Sequence, residues 1–286
     1  MSDLPADLRF SRRGGSVMLD CAEAGPESGP LVFLLHGFPE FWFGWRHQIG
    51  ALAEAGYHVV APDQRGYNKS DKPAGIPAYD LDLLAADIAA LADTFRRRTF
   101  AVIGHDWGGL VAWWAASHFP DRVRRLAALN APHPAVWKNA VLNNPAQRRL
   151  SGYVRLIALP RVPEFVLRLT ANRGLADALR QSRHPPTQEE LAQYRAAWAQ
   201  PGAGTAMLNW YRAILKKPLP LERQTRIVAP TCLIWGRNDV YGIPELAEES
   251  LALCDHGTII WLNDATHWVL HDEPERVNLI LLEFLK

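Results

Sequence analysis

The chain of 286 residues has few cysteines, almost no net charge and no long apolar run. Its three cysteines are scattered without C-x-x-C spacing, which argues against a disulfide framework or a zinc site and favours reduced thiols. Lys and Arg total 31 against 30 Asp and Glu, and this balance argues against a nucleic-acid-binding protein. No stretch approaches the ~18 consecutive apolar residues of a membrane span, and the N-terminal segment lacks the apolar core of a secretory signal. These absences predict a cytoplasmic protein that does not span a membrane.

Hydrophobic residues, by contrast, make up 48% of the chain, which is ample material for a buried core. Eleven of them are tryptophans. So many flat apolar side chains indicate either aromatic packing in the core and a lid, or the wall of a pocket for an apolar ligand.

Six short apolar runs alternate with amphipathic stretches along most of the chain. Each run is too short for a helix and is apolar on both faces, as are the strands of a buried parallel sheet. The runs lie at 31–35, 58–61, 100–103, 126–129, 231–235 and 258–262. The predicted helices lie at 45–55, 81–95, 110–118, 245–253 and 274–285. The alternation predicts an α/β fold with a parallel sheet flanked by helices.

The alternation stops at about residue 131 and resumes at 227. Between these points the pattern predicts only helices, at 145–157, 163–169, 174–183, 188–199 and 203–215. We therefore predict a core domain of residues 1–130 and 227–286, with a helical cap of residues 131–226 over the carboxyl edge of the sheet. Eight arginines of the cap form either a solvated face or a surface that recognises an anionic ligand or partner. They are Arg148, Arg149, Arg155, Arg161, Arg168, Arg173, Arg180 and Arg183.

A glycine-rich segment, 104–109 (GHDWGG), joins a predicted strand to a predicted helix. This is the strand–turn–helix context of the G-x-S-x-G nucleophile elbow, with Asp at its centre. Gly104 and Gly108 let the backbones pass closely around a strained turn, and the helix N-terminus favours a negative charge beside it. A carboxylate is already ionised near neutral pH and suits displacement at an sp³ carbon, which gives an alkyl-enzyme ester. We predict that Asp106 is a nucleophile.

Two further residues complete a triad in the chain order nucleophile, acid, histidine. Asp239 follows one predicted strand and His267 follows the next. An imidazole held by a carboxylate is a general base for water, which would hydrolyse the ester in a second step. His271 lies four residues beyond His267, but no third metal ligand is visible, so we predict that His271 lies at the surface.

The loop 36–39 (HGFP) follows the first predicted parallel strand. In hydrolases with a nucleophile elbow, a loop in this place supplies one backbone N–H of the oxyanion hole. The pattern assigns that N–H to Phe38 and the second one to Trp107, the residue after the nucleophile.

Together these segments resemble the soluble-type epoxide hydrolases of the α/β-hydrolase fold. The resemblance rests on residues 36–71, with the motifs H-G-x-P and D-x-R-G-x-x-x-S-D, on 104–109, and on the positions of Asp239 and His267. It implies a mostly parallel central sheet flanked by helices, with a helical cap. It also implies conversion of an apolar epoxide and water to a vicinal diol through a covalent Asp106 ester, without a metal or an organic cofactor.

The same family carries two cap tyrosines that hydrogen-bond the epoxide oxygen and protonate the leaving alkoxide. The segment 209–212 (NWYR) resembles the one that bears the second tyrosine, and 151–154 (SGYV) resembles the first, which gives Tyr211 and Tyr153. Thr266 stands where the family usually has glycine. The resemblance places the small-molecule pocket among aromatic side chains. They are Phe38, Trp107, Trp210 and Trp268.

Other classes share parts of this pattern. Haloalkane dehalogenases have the same Asp and Trp but often an Asn in place of Phe38 to hold the halide, a role that Trp137 could take here. Fluoroacetate dehalogenases place arginines where this chain has Trp107 and Leu110. A serine esterase would not have Asp106 at the elbow. A non-catalytic binding protein of the same fold would be expected to lack a triad member, and all three are present.

Overall fold

The computed structural model describes residues 4–217, 219 and 226–286, and within these ranges eight strands form one sheet. The strands are β1 (Arg9–Gly14), β2 (Met18–Ala24), β3 (Leu31–Leu35), β4 (His58–Pro62), β5 (Phe100–His105), β6 (Val123–Leu129), β7 (Thr231–Gly236) and β8 (Gly257–Leu262). Their order across the sheet is β1-β2-β4-β3-β5-β6-β7-β8. The six strands β4, β3, β5, β6, β7 and β8 are parallel to one another. Strand β2 runs antiparallel to both of its neighbours, β1 and β4. The predicted fold class is thereby confirmed.

The first two strands were not among the six predicted ones. Both carry charged side chains, and β1 is at most half-buried along its length because it forms the edge of the sheet. The central strands are buried on both faces: in β3, Phe33 packs into one apolar core and Val32 and Leu34 into the other. Apolar runs therefore identified six strands, whereas the charged residues of β1 and β2 interrupt the apolar pattern on which the prediction depends.

Helices cover both faces of this sheet and continue between β6 and β7. Around the sheet lie α1 (Arg46–Glu54), α2 (Leu81–Thr94), α3 (Trp107–His118), α11 (Glu245–Leu251), α12 (Val269–Asp272) and α13 (Pro274–Leu285). Between β6 and β7 lie α4 (Pro134–Asn143), α5 (Pro145–Leu150), α6 (Gly152–Ala158), α7 (Val162–Leu169), α8 (Arg173–Leu179), α9 (Gln188–Trp198) and α10 (Ala203–Lys216). Short 3₁₀ turns at Trp42–Trp45 and Ile76–Tyr79 complete the described elements.

The helical segment differs from its prediction in two places. Helix α4 was not predicted, although His133 caps it and Pro134 occupies its first turn, where a proline is well tolerated. The helix predicted at 145–157 is two helices, since α5 ends at Leu150 and α6 begins at Gly152. The eight arginines named above are exposed, and residues 218 and 220–225 of the predicted cap lie outside the described part.

The cysteines agree with the reduced state expected of them: Cys21, Cys232 and Cys254 are free and buried. Burial raises the pKa of all three thiols, most strongly that of Cys21. In the described ranges no helix combines the length and the apolar character needed to cross a membrane.

Candidate active site

Asp106 lies in the turn between β5 and α3, at the carboxyl edge of the sheet. Its backbone has φ 49° and ψ −121°, a strained conformation for a residue with a side chain. The turn is so tight that a Cβ on Gly104 would lie 2.2 Å from the carbonyl oxygen of Gly108. A Cβ on Gly108 would lie 2.1 Å from the carbonyl oxygen of Leu35. The flanking glycines are therefore a steric requirement of the elbow.

This crowding predicts a large stability loss for Gly108→Ala. The new methyl group would meet backbone rather than a flexible side chain, so we expect the free energy of unfolding to fall by about 3 kcal/mol or more. Gly152→Ala is the matched control, because a Cβ there meets nothing within 4 Å at the start of α6. Urea unfolding of both variants checks this, and a Gly108→Ala protein as stable as the control would contradict it.

The two oxygens of the Asp106 carboxyl group have different surroundings. Oδ1 accepts a hydrogen bond of 2.8 Å from the backbone N–H of Phe38. Helix α3 starts at Trp107, so the N–H of Trp107 is one of the donors that a helix leaves unpaired at its first turn. Oδ2 lies 3.5 Å from Nε2 of His267. Of the predicted oxyanion donors, Phe38 thus already contacts Asp106 from the HGFP loop, and Trp107 follows Asp106 in the chain at the start of α3.

The loops after β7 and β8 bring the predicted acid and histidine together. Nδ1 of His267 lies 3.0 Å from Oδ2 of Asp239, and both side chains are almost fully buried. Asp239 also accepts from the side-chain amide of Asn130 at 2.6 Å and from the backbone N–H of Tyr241 at 2.7 Å. These bonds fix the carboxylate, and the carboxylate in turn fixes the ring of His267.

Two carboxylates next to one imidazole change its acidity. Burial by itself would lower the pKa of His267, but the charge of Asp239 and hydrogen bonds to Asp106 and Asp239 raise it to about 10. Burial would likewise raise the pKa of Asp239, but the charge and hydrogen bond of His267 hold it below its usual value. The resting site therefore favours an imidazolium between two carboxylates.

This raised pKa predicts a pH-dependent stability. Because the folded pKa exceeds the unfolded value of about 6.5, the stabilisation is complete below pH ~6.5 and is lost as pH rises through about 10. Between these limits the advantage of the native protein over His267→Gln should shrink by up to ~1.4 kcal/mol per pH unit. Urea unfolding across this range measures it, with His184→Gln, at an exposed histidine, as the control. A constant difference between native protein and His267→Gln would contradict the expectation.

The predicted cap tyrosines lie over this triad. Tyr153 on α6 and Tyr211 on α10 line a cavity of about 300 Å³ together with Asp106 and His267. Their ring centroids are 6.1 Å apart, and the ring of Tyr211 packs edge-on against Phe38 at 5.3 Å. Burial, followed by nearby groups that include Asp106, raises the pKa of both phenols. Both hydroxyls are therefore protonated at neutral pH and able to donate.

The four aromatic residues predicted to line the pocket differ in where they lie. Phe38 and Trp268 line the 300 Å³ cavity. Trp107 lines a smaller neighbouring cavity of about 40 Å³, which Trp137 also borders. Trp210 lies behind this wall: its ring packs edge-on against Trp107, and its indole N–H donates to the carbonyl of Arg65 at 3.0 Å. The prediction that Trp210 lines the pocket is therefore corrected to a supporting position.

Tyr241 is a cavity residue that the sequence did not indicate. It lines both cavities, and its ring packs edge-on against that of His267 at 4.8 Å. Its hydroxyl donates to Gln181 at 2.9 Å. The signal available in the sequence was its position two residues after Asp239, where its backbone N–H reaches the same carboxylate.

A buried carboxylate behind the elbow was also missed. Glu40 directly follows the HGFP loop and accepts from the hydroxyl of Tyr194 on α9 at 2.7 Å. Its second oxygen lies 3.5 Å from Nδ1 of His105, whose Nε2 donates to the carbonyl of His267 at 2.9 Å. Burial would raise the pKa of Glu40, but the charges and hydrogen bonds of His271 and His105 hold it well below its usual value. Glu40, the only charged residue in the stretch 37–45, thus connects α9, the end of β5 and the histidine loop.

His271 belongs to this cluster, so its predicted surface position is wrong. It is 7% exposed, and its Nε2 donates to Glu40 at 2.8 Å. The sequence showed that His271 lies only four residues after His267. It did not show that His271 is buried against the carboxylate of Glu40, which comes from a distant loop. Among the described residues no group of three or more His, Cys, Asp or Glu could hold a metal ion.

Thr266, which replaces the usual glycine of the family, is held by the carboxylate of Asp272. Its backbone N–H and its hydroxyl both donate to Asp272, at 2.7 and 2.6 Å. The same carboxylate accepts from the hydroxyl of Ser182, which follows α8. The loop before His267 is therefore anchored through a side chain that glycine does not have.

A strained Asp elbow, a buried Asp–His pair and a helical segment over a mostly parallel sheet define a hydrolase of the α/β class. Residues 30–274 match the family described as alpha/beta hydrolase fold, and the chain belongs to this family. It is 46% identical over 272 residues to the AB hydrolase superfamily protein YfhM of Bacillus subtilis, covering 94% of this chain and 95% of that protein. It is 36% identical over 271 residues to epoxide hydrolase 4 of Mus musculus, covering 92% of this chain and 75% of that protein. A structure described as a novel epoxide hydrolase from metagenomes of hot environments superposes with a TM-score of 0.86 at 34% identity, covering 97% of this chain and 98% of that one.

Proposed function

We propose that the protein hydrolyses an apolar epoxide to a vicinal diol through a covalent ester on Asp106. The observation that carries this proposal is the single cavity that Asp106 and His267 share with two protonated phenols, Tyr153 and Tyr211. An epoxide needs both a nucleophile at carbon and an acid at oxygen, because an unprotonated alkoxide is a poor leaving group. Apolar and aromatic side chains such as Phe38 in the same lining favour an apolar substrate.

In the first step an electron pair of Asp106 attacks an oxirane carbon. The bond between that carbon and the ring oxygen breaks, and the ring oxygen takes its pair and a proton from Tyr153 or Tyr211. The Phe38 N–H already holds Oδ1 of Asp106, so Oδ2, which faces His267, is the attacking oxygen. Oδ1 then becomes the carbonyl oxygen of the hydroxyalkyl ester.

In the second step His267 takes a proton from water, and the hydroxide attacks the ester carbonyl. The N–H groups of Phe38 and Trp107 stabilise the oxyanion that forms on Oδ1. Its collapse breaks the bond between the Asp106 carboxyl carbon and the diol oxygen, and that oxygen leaves with the proton held by His267. Asp106 is released as a carboxylic acid with the second proton of the water, and it returns to a carboxylate by giving this proton to His267. The balance is epoxide plus water to diol.

The charges of the site give these steps an order. Before the reaction, Asp106 and Asp239 both favour a protonated His267, which is no base. Ester formation removes the charge of Asp106 and leaves Asp239 alone beside the imidazole, so the pKa of His267 falls. The imidazolium then gives its proton to the phenolate that the first step left, which restores the phenol. The histidine therefore becomes able to activate water only after the ester exists.

A haloalkane dehalogenase is the second candidate, and one observation favours it. Trp107 and Trp137 both border the small cavity next to Asp106, and indole N–H groups can hold a halide. A halide leaving group needs no proton, however, so a dehalogenase would not need Tyr153 and Tyr211 as proton donors. The two functions differ in the mass that the substrate adds to Asp106.

Intact mass spectrometry of His267→Gln tests the proposal, because the first step does not need the base. The variant is incubated separately with an aryl epoxide and with a primary haloalkane. We expect a mass gain equal to the whole epoxide, which is absent when Asp106 is also replaced by alanine.

Two outcomes would contradict the proposal. A gain equal to the alkyl group, seen with the haloalkane alone, would assign the protein to the dehalogenases. No adduct with either compound, from a variant whose circular dichroism matches the native protein, would favour a binding protein of the same fold.

A further inference from the structure

An exposed apolar face lies on the outside of the cap. Six side chains of α6, α7 and the turn between them are exposed to between 43% and 73%. They are Leu156, Leu159, Val162, Phe165, Val166 and Leu169. On α7 the spacing is i, i+3, i+4 and i+7, which places four of them on one stripe of the helix. We call these six residues the apolar face.

The opposite side of α7 is firmly attached to the helix that bears Tyr211. Glu164 pairs with Arg212 of α10 at 2.7 Å, and Arg212 also donates to the carbonyl of Leu159 at 2.7 Å. No residue of α7 is itself buried, so the ion pair and the hydrogen bond of Arg212 to Leu159 are the contacts that hold this part of the cap on α10 with its apolar face outward. Patches of this kind on a protein surface mark interaction sites.

The charge around the apolar face is strongly positive. Arg155, Arg161 and Arg168 each adjoin one of its residues in the chain, and all three are exposed. The cap, residues 131–226, has fifteen Lys and Arg against five Asp and Glu, a net charge of +10. The rest of the chain has sixteen against twenty-five, a net charge of −9. The total of +1 therefore conceals a basic cap on an acidic core domain.

The exposed part of the active-site cavity lining lies close to this face along the chain. Of the cavity lining, Gly174, Asp177 and Gln181 are exposed, and all three lie on or just after α8, the helix that follows α7. A surface that contacts the apolar face would therefore lie next to the opening through which a substrate must pass.

We propose that the cap docks on an anionic lipid surface through its apolar face. Apolar side chains flanked by arginines are the composition of helices that lie in a membrane interface, where anionic headgroups attract the basic residues. A second copy of the chain fits less well, because pairing two caps would bring two charges of +10 together. Docking brings the cavity mouth to the lipid phase, where apolar compounds collect.

Co-sedimentation with vesicles tests this proposal on the full chain. One set contains phosphatidylcholine alone, and the other contains phosphatidylcholine mixed with phosphatidylglycerol. The test variant is the double substitution Phe165→Ser and Leu169→Ser. The control is Phe10→Ser with Leu279→Ser, which removes a phenylalanine and a leucine of similar exposure from the core domain.

We expect the native protein and the control to bind the anionic vesicles, and high salt to release them. The test variant should bind at least about tenfold more weakly, and its hydrolysis of a water-soluble epoxide should stay at the native level. Equal binding by test variant and control, equal binding to both vesicle types, or no binding to either would overturn the proposal. A dimer in sedimentation velocity that the test variant abolishes, without vesicle binding, would identify a second copy as the occupant.

Discussion

Replacing both Tyr153 and Tyr211 by phenylalanine is expected to slow ester formation by about a hundredfold to ten-thousandfold. The double variant leaves Asp106 and its hydrogen bond from Phe38 in place, but it removes the two phenol hydroxyls that we propose as proton donors to the ring oxygen. Each single variant should lose less, since the remaining hydroxyl still donates. Rapid mixing of the His267→Gln background with an aryl epoxide, followed by intact mass, measures the rate of this step directly.

Tyr241→Phe is the matched control for that experiment. Tyr241 lines the same cavity and packs on His267, but its hydroxyl donates to Gln181. Its loss should change ester formation less than about tenfold, because only a donor aimed at the leaving oxygen contributes general acid catalysis. Equal losses in Tyr241→Phe and in the double variant would show that the tyrosines shape the cavity without acting as acids.

Asp239→Asn is expected to reduce steady-state turnover by about a thousandfold to ten-thousandfold. The amide cannot stabilise the imidazolium, and its N–H₂ group favours the wrong tautomer of His267 at the 3.0 Å contact. Asp106 still attacks in this variant, so the ester should accumulate during turnover. Steady-state kinetics with intact mass at the same time points shows whether the loss falls on the second step.

The exposed carboxylate Asp264 provides the control for this experiment. It lies on the loop that leads from β8 to His267, so Asp264→Asn makes the same chemical change in the same loop. Turnover should remain within about twofold of the native value, as expected for a surface site. A strong loss of ester formation in Asp239→Asn would mean that Asp239 is needed for the geometry of the elbow rather than for the base.

The sequence revealed those parts of the fold that depend on local pattern. Each of the six predicted strands overlaps an observed one, because each is a short and mainly apolar run in the sequence, including β8 at the edge of the sheet. Strands β1 and β2 escaped detection because charged residues interrupt their apolar pattern: β1 contains three arginines, and β2 contains Asp20 and Glu23 although most of it is buried. The break between α5 and α6 escaped because a helix pattern can continue across a turn as short as Ser151.

The candidate site shows the same division. Asp106, Asp239 and His267 were predictable because each follows a strand of one parallel sheet, and such strand ends meet at one edge. Glu40, Tyr241 and the buried position of His271 were not predictable in this way. Their roles depend on contacts between loops far apart in the chain, such as the 2.8 Å bond from His271 to Glu40, and no spacing in the sequence encodes such a contact.

The loop that holds Phe38 also accepts hydrogen bonds from helix α9, which lies between β6 and β7. Trp198 of α9 donates to the carbonyl of Pro39 at 2.6 Å, and Tyr194 of the same helix donates to Glu40. Two hydrogen bonds therefore join helix α9 to this loop, although some 150 residues separate them in the chain. A chimaera that takes its cap from a relative should stay active when the loop comes from the same relative as helix α9. When the loop or the helix is exchanged alone, the loop should no longer be held in its position against the helix.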